Sequence, residues 1–189
     1  VSKAVLEMQR QNVNSLGYGI KSFTFAMMQV ALDLSREKLD SKTMREVINI
    51  GRDMMEHPVD FIDGVPNILE SLSESYELVL ITKGDLIDQE RKVNLSNVGR
   101  WFKNIEIVSE KHSSIYKNIF SRFGKMDESV MVGNSIKSDA VPAVKAGAWG
   151  IHVPYPITWE LEMAKPMTDH ERYFEANNLS HAAEIIKSI

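Results

Sequence analysis

The stretch MVGNSIKSDA, residues 131–140, carries the strongest signal of architecture in the chain. It reads as the end of a buried strand, SVMV at 129–132, entering a Gly-Asn-Ser loop, with a helix from 138 to 146 beyond. Small polar loops at the carboxyl ends of strands are where parallel α/β proteins place their chemistry. The loop offers two hard oxygen donors of the kind Mg²⁺ takes alongside its waters, the Asp139 carboxylate and the Asn134 side-chain oxygen. It also has a purely local reading. Ser135, Ser138 and Asp139 can all cap the first turn of the next helix, where an acid is favourable without any metal.

Outward from this loop the chain alternates. Residues 77–82 (ELVLIT), 104–109 (NIEIVS) and 149–153 (WGIHV) are further short apolar strands. Helices are expected over 67–73, 85–98, 113–123 and 181–189. Continuous apolar strands alternating with helices predict an α/β fold, a doubly wound parallel sheet covered on both faces. Right-handed crossovers then put the strands' carboxyl ends on one edge. Thr82, residues 109–111 and residues 134–139 fall there, at the default ligand site of such a sheet.

Before residue 60 everything reads helical. Apolar residues recur at helical spacing in 1–12, 20–34 and 42–56, with Asp40 or Ser41 as cap for the third helix. The GYG at 17–19 separates the first two helices, and His57-Pro58 ends the third, because a residue before proline avoids the helical region. The expected domains are therefore a helical lobe at 1–60 and an α/β core at 61–189.

Composition narrows the partners. The 189 residues are 43% hydrophobic and 25% charged, ordinary for a globular protein. A net charge of −4 argues against nucleic acid or an anionic membrane as partner. The absence of cysteine excludes disulfides and thiolate metal sites and fits a cytoplasmic location. No apolar run approaches the ~20 residues of a membrane span. The five histidines, His57, His112, His152, His170 and His181, show no metal-binding spacing.

Two other strand ends carry candidate chemistry. Thr82, followed by Lys83-Gly84 and a helix, suits an anion, through its hydroxyl and the positive end of that helix. Equally, Thr82 is a β-branched strand residue and Gly84 a turn. Lys111 follows the second strand and can bind phosphate as a point charge, or can simply pair with Glu110 on the surface.

In order, the hydroxyl of Leu80-Ile81-Thr82, the lysine Lys111, and Gly133-Asn134-Ser135 with Asp139 resemble the second, third and fourth motifs of the haloacid dehalogenase superfamily. The resemblance covers essentially the whole chain. It implies a Rossmann-like core with the helices of 1–60 as an inserted cap, and a phosphatase-like activity. Thr82, with Lys83 and Gly84, would hold phosphate. Lys111 would steady phosphate and nucleophile, and Asp139 and Asn134 would ligate Mg²⁺. Within the cap, Tyr18 and Lys21 are the candidates to meet a small phosphorylated substrate, although a plain helix-joining loop explains them as well.

The chain departs from that family twice. It contains no D-x-D-x-T, so the nucleophilic aspartate, the general acid and base, and the first strand are expected to lie outside these residues, and the chain alone is expected to be inactive. Asn134 also stands where many relatives carry aspartate. A non-catalytic binding or regulatory relative and a metal-independent haloacid dehalogenase are the alternatives. A receiver-like signalling domain fits poorly, because it has no long helical lobe in front.

Overall fold

The computed structural model describes all 189 residues. Helices α1 (Ser2–Leu16) and α2 (Ile20–Leu34) pack through small and flexible apolar side chains. Val5, Ala26 and Val30 are buried there, with Ala4, Met8, Phe23 and Met27 around them. Helix α3 (Ser41–Glu56) packs on α2 and begins at Asp40, whose carboxylate accepts from the Lys42 and Thr43 amides at 2.9 and 3.0 Å. That satisfies two of the four amides a helix start leaves unpaired.

The rest alternates as the apolar runs predict: α4 (Val65–Ser73), β1 (Val79–Lys83), α5 (Leu86–Ser96), β2 (Asn104–Val108), α6 (Ser113–Phe120), β3 (Val130–Gly133), α7 (Val141–Ala146), β4 (Trp149–His152), β5 (Tyr173–Glu175) and α8 (Leu179–Ser188). All strand pairs are parallel. β1 and β2 pair from Val79 opposite Asn104 to Lys83 opposite Val108. β3, β4 and β5 form a separate three-stranded sheet in that order. The strands thus make two small sheets where one was expected, and β1 and β3 each have a neighbour on one side only. The further strand that the family resemblance implies is formed by none of these residues.

The chain divides into two compact units. One holds Val1–Asp60, Val79–Arg100 and Asn104–Ser109, that is α1 to α3 with β1, α5 and β2. The other holds Phe61–Leu78, Trp101–Lys103 and Glu110–Ile189. The core of the second unit lies on the β3–β4–β5 sheet. Ile151, Ala176 and Ala182 are its buried centre, with Val130, Val132, Phe174, Ile185 and Ile186 packed around them. Ile151 is completely buried, which stabilises by about 1.5–3 kcal/mol relative to exposure.

Two features escaped the sequence patterns. Strand β5 is three residues long, too short to show a period. The helix expected from residue 138 instead opens with one turn of π-helix, Ile136–Ala140, in which the Ala140 amide reaches back to the Ser135 carbonyl at 3.2 Å. Such turns are rare and cluster at functional sites. No helix is long and apolar enough to cross a membrane.

Candidate active site

In the second unit, the π turn after β3 carries Asp139 inward, where it is 4% exposed. Its Oδ1 accepts from Lys111 Nζ at 2.7 Å, and its Oδ2 accepts from the Ser135 amide at 2.9 Å. The side chains of the pair are 10% and 6% exposed, so this is a buried ion pair rather than a surface contact. Gly133 makes room for it. A Cβ at that position would come within 2.6 Å of Asp139 Cβ and nearer still to the carboxylate. The glycine of the G-N-S loop is therefore a close-approach residue, a role its turn-like sequence does not reveal.

Other contacts fix the loop. Ser135 Oγ accepts from the Ser138 amide at 2.9 Å and donates to Glu162 Oε2 at 2.7 Å. Lys137 Nζ donates to the Leu161 carbonyl at 2.8 Å. Tyr116, wholly buried on α6, donates its hydroxyl to the Ser138 carbonyl at 2.8 Å. Burial pushes the Tyr116 phenol well above its ordinary range, and the negative charges of Asp139 and Glu162 push it further. The capping role anticipated for Ser135 is present, and Asp139 serves that loop as well. Sequence reasoning missed Tyr116 and Glu162. The first looks like any core residue of a helix, and the second lies far along the chain.

In the first unit, Thr82 stands one residue before the end of β1 and donates its hydroxyl to Gln89 Oε1 at 2.7 Å. Lys83 Nζ lies 4.0 Å from the centre of the Tyr18 ring, a cation–π contact. Lys21 Nζ reaches both oxygens of Asp85, at 2.9 and 3.1 Å. Asp85 caps α5 by accepting from the Asp88 amide at 3.0 Å. The Lys21 hydrogen bond holds the Asp85 carboxyl below its usual range, helped by the Asp88 amide and opposed by burial. The GYG loop thus meets the Lys83-Gly84-Asp85 turn, bringing Tyr18, Lys21, Thr82 and Lys83 into one neighbourhood. The N-terminus of α5 is taken by Asp85, so an anion there would depend on Thr82 and Lys83. Gln89 and Asp85 had only a helical pattern to mark them in the sequence.

The fit to Mg²⁺ rests on the donors. Asp139 keeps a lone pair on each oxygen beyond its protein partners, and Asn134 is exposed at the strand end. Both are hard oxygen donors that suit Mg²⁺. Two such donors do not by themselves make a metal site, and no group of three or more acidic or histidine side chains that could hold a metal gathers in the chain.

No family model matches the chain, and no curated protein matches it. Solved structures do. A haloacid dehalogenase-like family hydrolase from Xanthomonas campestris superposes with a TM-score of 0.86 at 34% identity, over 97% of this chain and 74% of that one. The HAD-hydrolase YfnB from Bacillus subtilis, bound to magnesium, gives 0.68 at 15% identity, over 98% of this chain and 80% of that one. A predicted phosphoglycolate phosphatase from Haemophilus somnus gives 0.65 at 12% identity, over 97% of this chain and 90% of that one. At the latter two identities the likeness is one of fold alone. The likeness to the Xanthomonas protein extends over enough of both chains to fix the family: this chain belongs to the haloacid dehalogenase-like hydrolases.

Proposed function

We propose that this protein is a Mg²⁺-dependent phosphomonoester hydrolase that works through an aspartyl-phosphate whose nucleophilic aspartate lies outside these 189 residues. The observation that carries the reading is the buried Lys111–Asp139 pair, fastened to the Ser135 amide at the end of β3. Burying two charges costs free energy that a merely structural contact has little reason to incur. A lysine beside a carboxylate suits a site that handles anionic oxygens.

In this reading residues 61–189 are the catalytic core and residues 1–60 the cap. The Thr82 hydroxyl and the Lys83-Gly84 turn hold phosphate oxygens. Lys111 steadies negative charge on the nucleophile and the phosphoryl group. Asp139 and Asn134 contribute oxygen ligands to Mg²⁺, which when bound offsets the repulsion between an anionic nucleophile and an anionic substrate. Splitting hydrolysis into formation and breakdown of an acyl phosphate replaces one difficult step by two easier ones. Tyr18 and Lys21 face the substrate, a small phosphorylated metabolite, in the cytoplasm. The chain alone, lacking the nucleophile, is inactive.

The test is hydrolysis of p-nitrophenyl phosphate and a panel of phosphomonoesters by the intact gene product, with Mg²⁺ and with chelator. Mg²⁺-dependent release of phosphate is expected from it and none from the 189 residues alone. Halide release from 2-haloacids without metal, and no phosphatase activity, would make it a dehalogenase. Inactivity of the intact protein in both assays would make it a binding relative.

A further inference from the structure

The single proton of the Thr82 hydroxyl is already committed, to Gln89 Oε1 at 2.7 Å. Gln89 sits in the first turn of α5, where its own amide bonds the Asp85 carbonyl at 2.9 Å. Its side chain folds back over the strand end and lies on Gly84. A Cβ at Gly84 would come within 2.9 Å of Gln89 Nε2, and Gly84 stands at φ +152°. On its other side Nε2 is 3.4 Å from Asp88 Oδ2. Asp88 loses little without that contact, since Arg91 and Lys92 pair with it at 3.1 and 2.8 Å.

A primary amide presents an acceptor at one end and donors at the other, whereas a hydroxyl has one proton and two acceptor lone pairs. We propose that Gln89 is the positioning residue of the phosphate-holding threonine. Without ligand, its Oε1 takes the Thr82 proton. When phosphate arrives, the amide turns over, Nε2 donates to Thr82 Oγ1, and the hydroxyl proton turns to a phosphate oxygen. The Thr82 oxygen is held at every stage. The turn sets Gln89 Oε1 where Nε2 lay, beside Asp88 Oδ2, and since two acceptors cannot bond each other, the unliganded arrangement is the resting one and phosphate drives the exchange. This inference rests on the assignment of Thr82 to phosphate. A glutamate at 89 could only accept. It would keep the hydroxyl proton and set a negative charge against the anion. A leucine could do neither.

The experiment titrates inorganic phosphate into the intact gene product, with binding read by calorimetry and thermal midpoints recorded alongside. Gln89→Leu should weaken binding about five-fold, the loss of one oriented hydrogen bond. Gln89→Glu should weaken it more than about ten-fold, since it adds repulsion. Gln89→Leu should lower the thermal midpoint by no more than about 2–4 °C, the worth of one half-buried hydrogen bond, and Gln89→Glu somewhat further because it sets a second carboxylate beside Asp88. The distinguishing readout is a double-mutant cycle. In a Thr82→Val background, Gln89→Leu should make no further difference. Equal losses from Gln89→Leu with and without the Thr82 hydroxyl would overturn the proposal, as would native-like binding by Gln89→Glu. A native protein that neither binds phosphate nor hydrolyses phosphomonoesters would overturn the proposed function, and this inference with it. Failure of the cycle in an active, phosphate-binding protein would overturn the inference alone.

Discussion

Lys111 Nζ and Asp139 Oδ1 lie 2.7 Å apart with both side chains nearly closed to water. Removing one member of such a pair leaves the other charge buried and uncompensated, at a cost of about 3–5 kcal/mol. Lys111→Met should therefore lower the thermal midpoint markedly, since about 1 kcal/mol is worth roughly 2–4 °C in a chain of this size. Lys111→Met combined with Asp139→Asn should recover much of that loss, because neither group is then charged. Calorimetric melting of the single and double variants measures both. A single variant that melts with the native protein would show that the charges are less enclosed than their exposures indicate.

Tyr116 bonds the Ser138 carbonyl from a fully buried position. Tyr116→Phe should cost about 1–2 kcal/mol at neutral pH, because the carbonyl loses its donor. The pH dependence adds a second signature. The folded-state pKa is raised, first by burial and then by Asp139 and Glu162. The folded protein therefore holds this proton more tightly than the unfolded chain does. The stabilisation is fully present below the ordinary phenol value of about 10 and is lost as pH rises above it. Native stability should fall more steeply above pH ~10 than that of Tyr116→Phe, so the two urea midpoints converge. Tyr173, also raised by burial and by Glu175, contributes equally to both proteins. Parallel alkaline slopes would refute the linkage.

These contacts show what the sequence could and could not disclose. Thr82, Lys111 and Asp139 stand out in the sequence as candidates because a hydroxyl, a lysine and an acid recur at successive strand ends, and strand ends are visible in the apolar pattern. The partners that hold them do not. Gln89 reaches Thr82 by folding back one turn of helix, and Glu162 reaches Ser135 from the irregular segment beyond α7 and β4. Neither distance leaves a period in the sequence. The division into two sheets was hidden for a related reason. Strand pairing depends on which neighbours are present, and a strand's own pattern does not say that β1 and β3 will each be paired on one side.

Lys21 and Asp85 are joined by two hydrogen bonds, yet their side chains are 47% and 26% exposed. At that exposure the pair contributes less than about 1 kcal/mol. The Asp85 pKa is depressed, chiefly by Lys21, so its contribution is present above the ordinary carboxylate value near 4 and is lost as pH falls below it. Lys21→Met should be slightly less stable than native at pH 7 and indistinguishable from it near pH 2. Added salt should shrink the difference at pH 7. A gap that persists in acid would mean that the lysine acts through packing of its stem against the turn.

Asn134 is exposed at the end of β3, and its amide oxygen brings no charge to a metal. Its environment can therefore accept a carboxylate with little effect on folding, whereas Asp139 is built into the π turn through Lys111 and Ser135. If residue 134 ligates the cation as proposed, Asn134→Asp in the intact gene product should bind Mg²⁺ about ten-fold tighter, since it would add one unit charge to the site. Asn134→Ala should weaken binding modestly, and Asp139→Ala should abolish it. Calorimetric Mg²⁺ titration reads the affinities, and Mg²⁺-dependent shifts in the thermal midpoint check them independently of turnover. Some of the Asp139→Ala effect will come from the stranded lysine, so the decisive comparison is between the two variants at Asn134. Equal affinities for Asn134→Asp and Asn134→Ala would remove residue 134 from the metal site and leave Asp139 as its only donor from this loop.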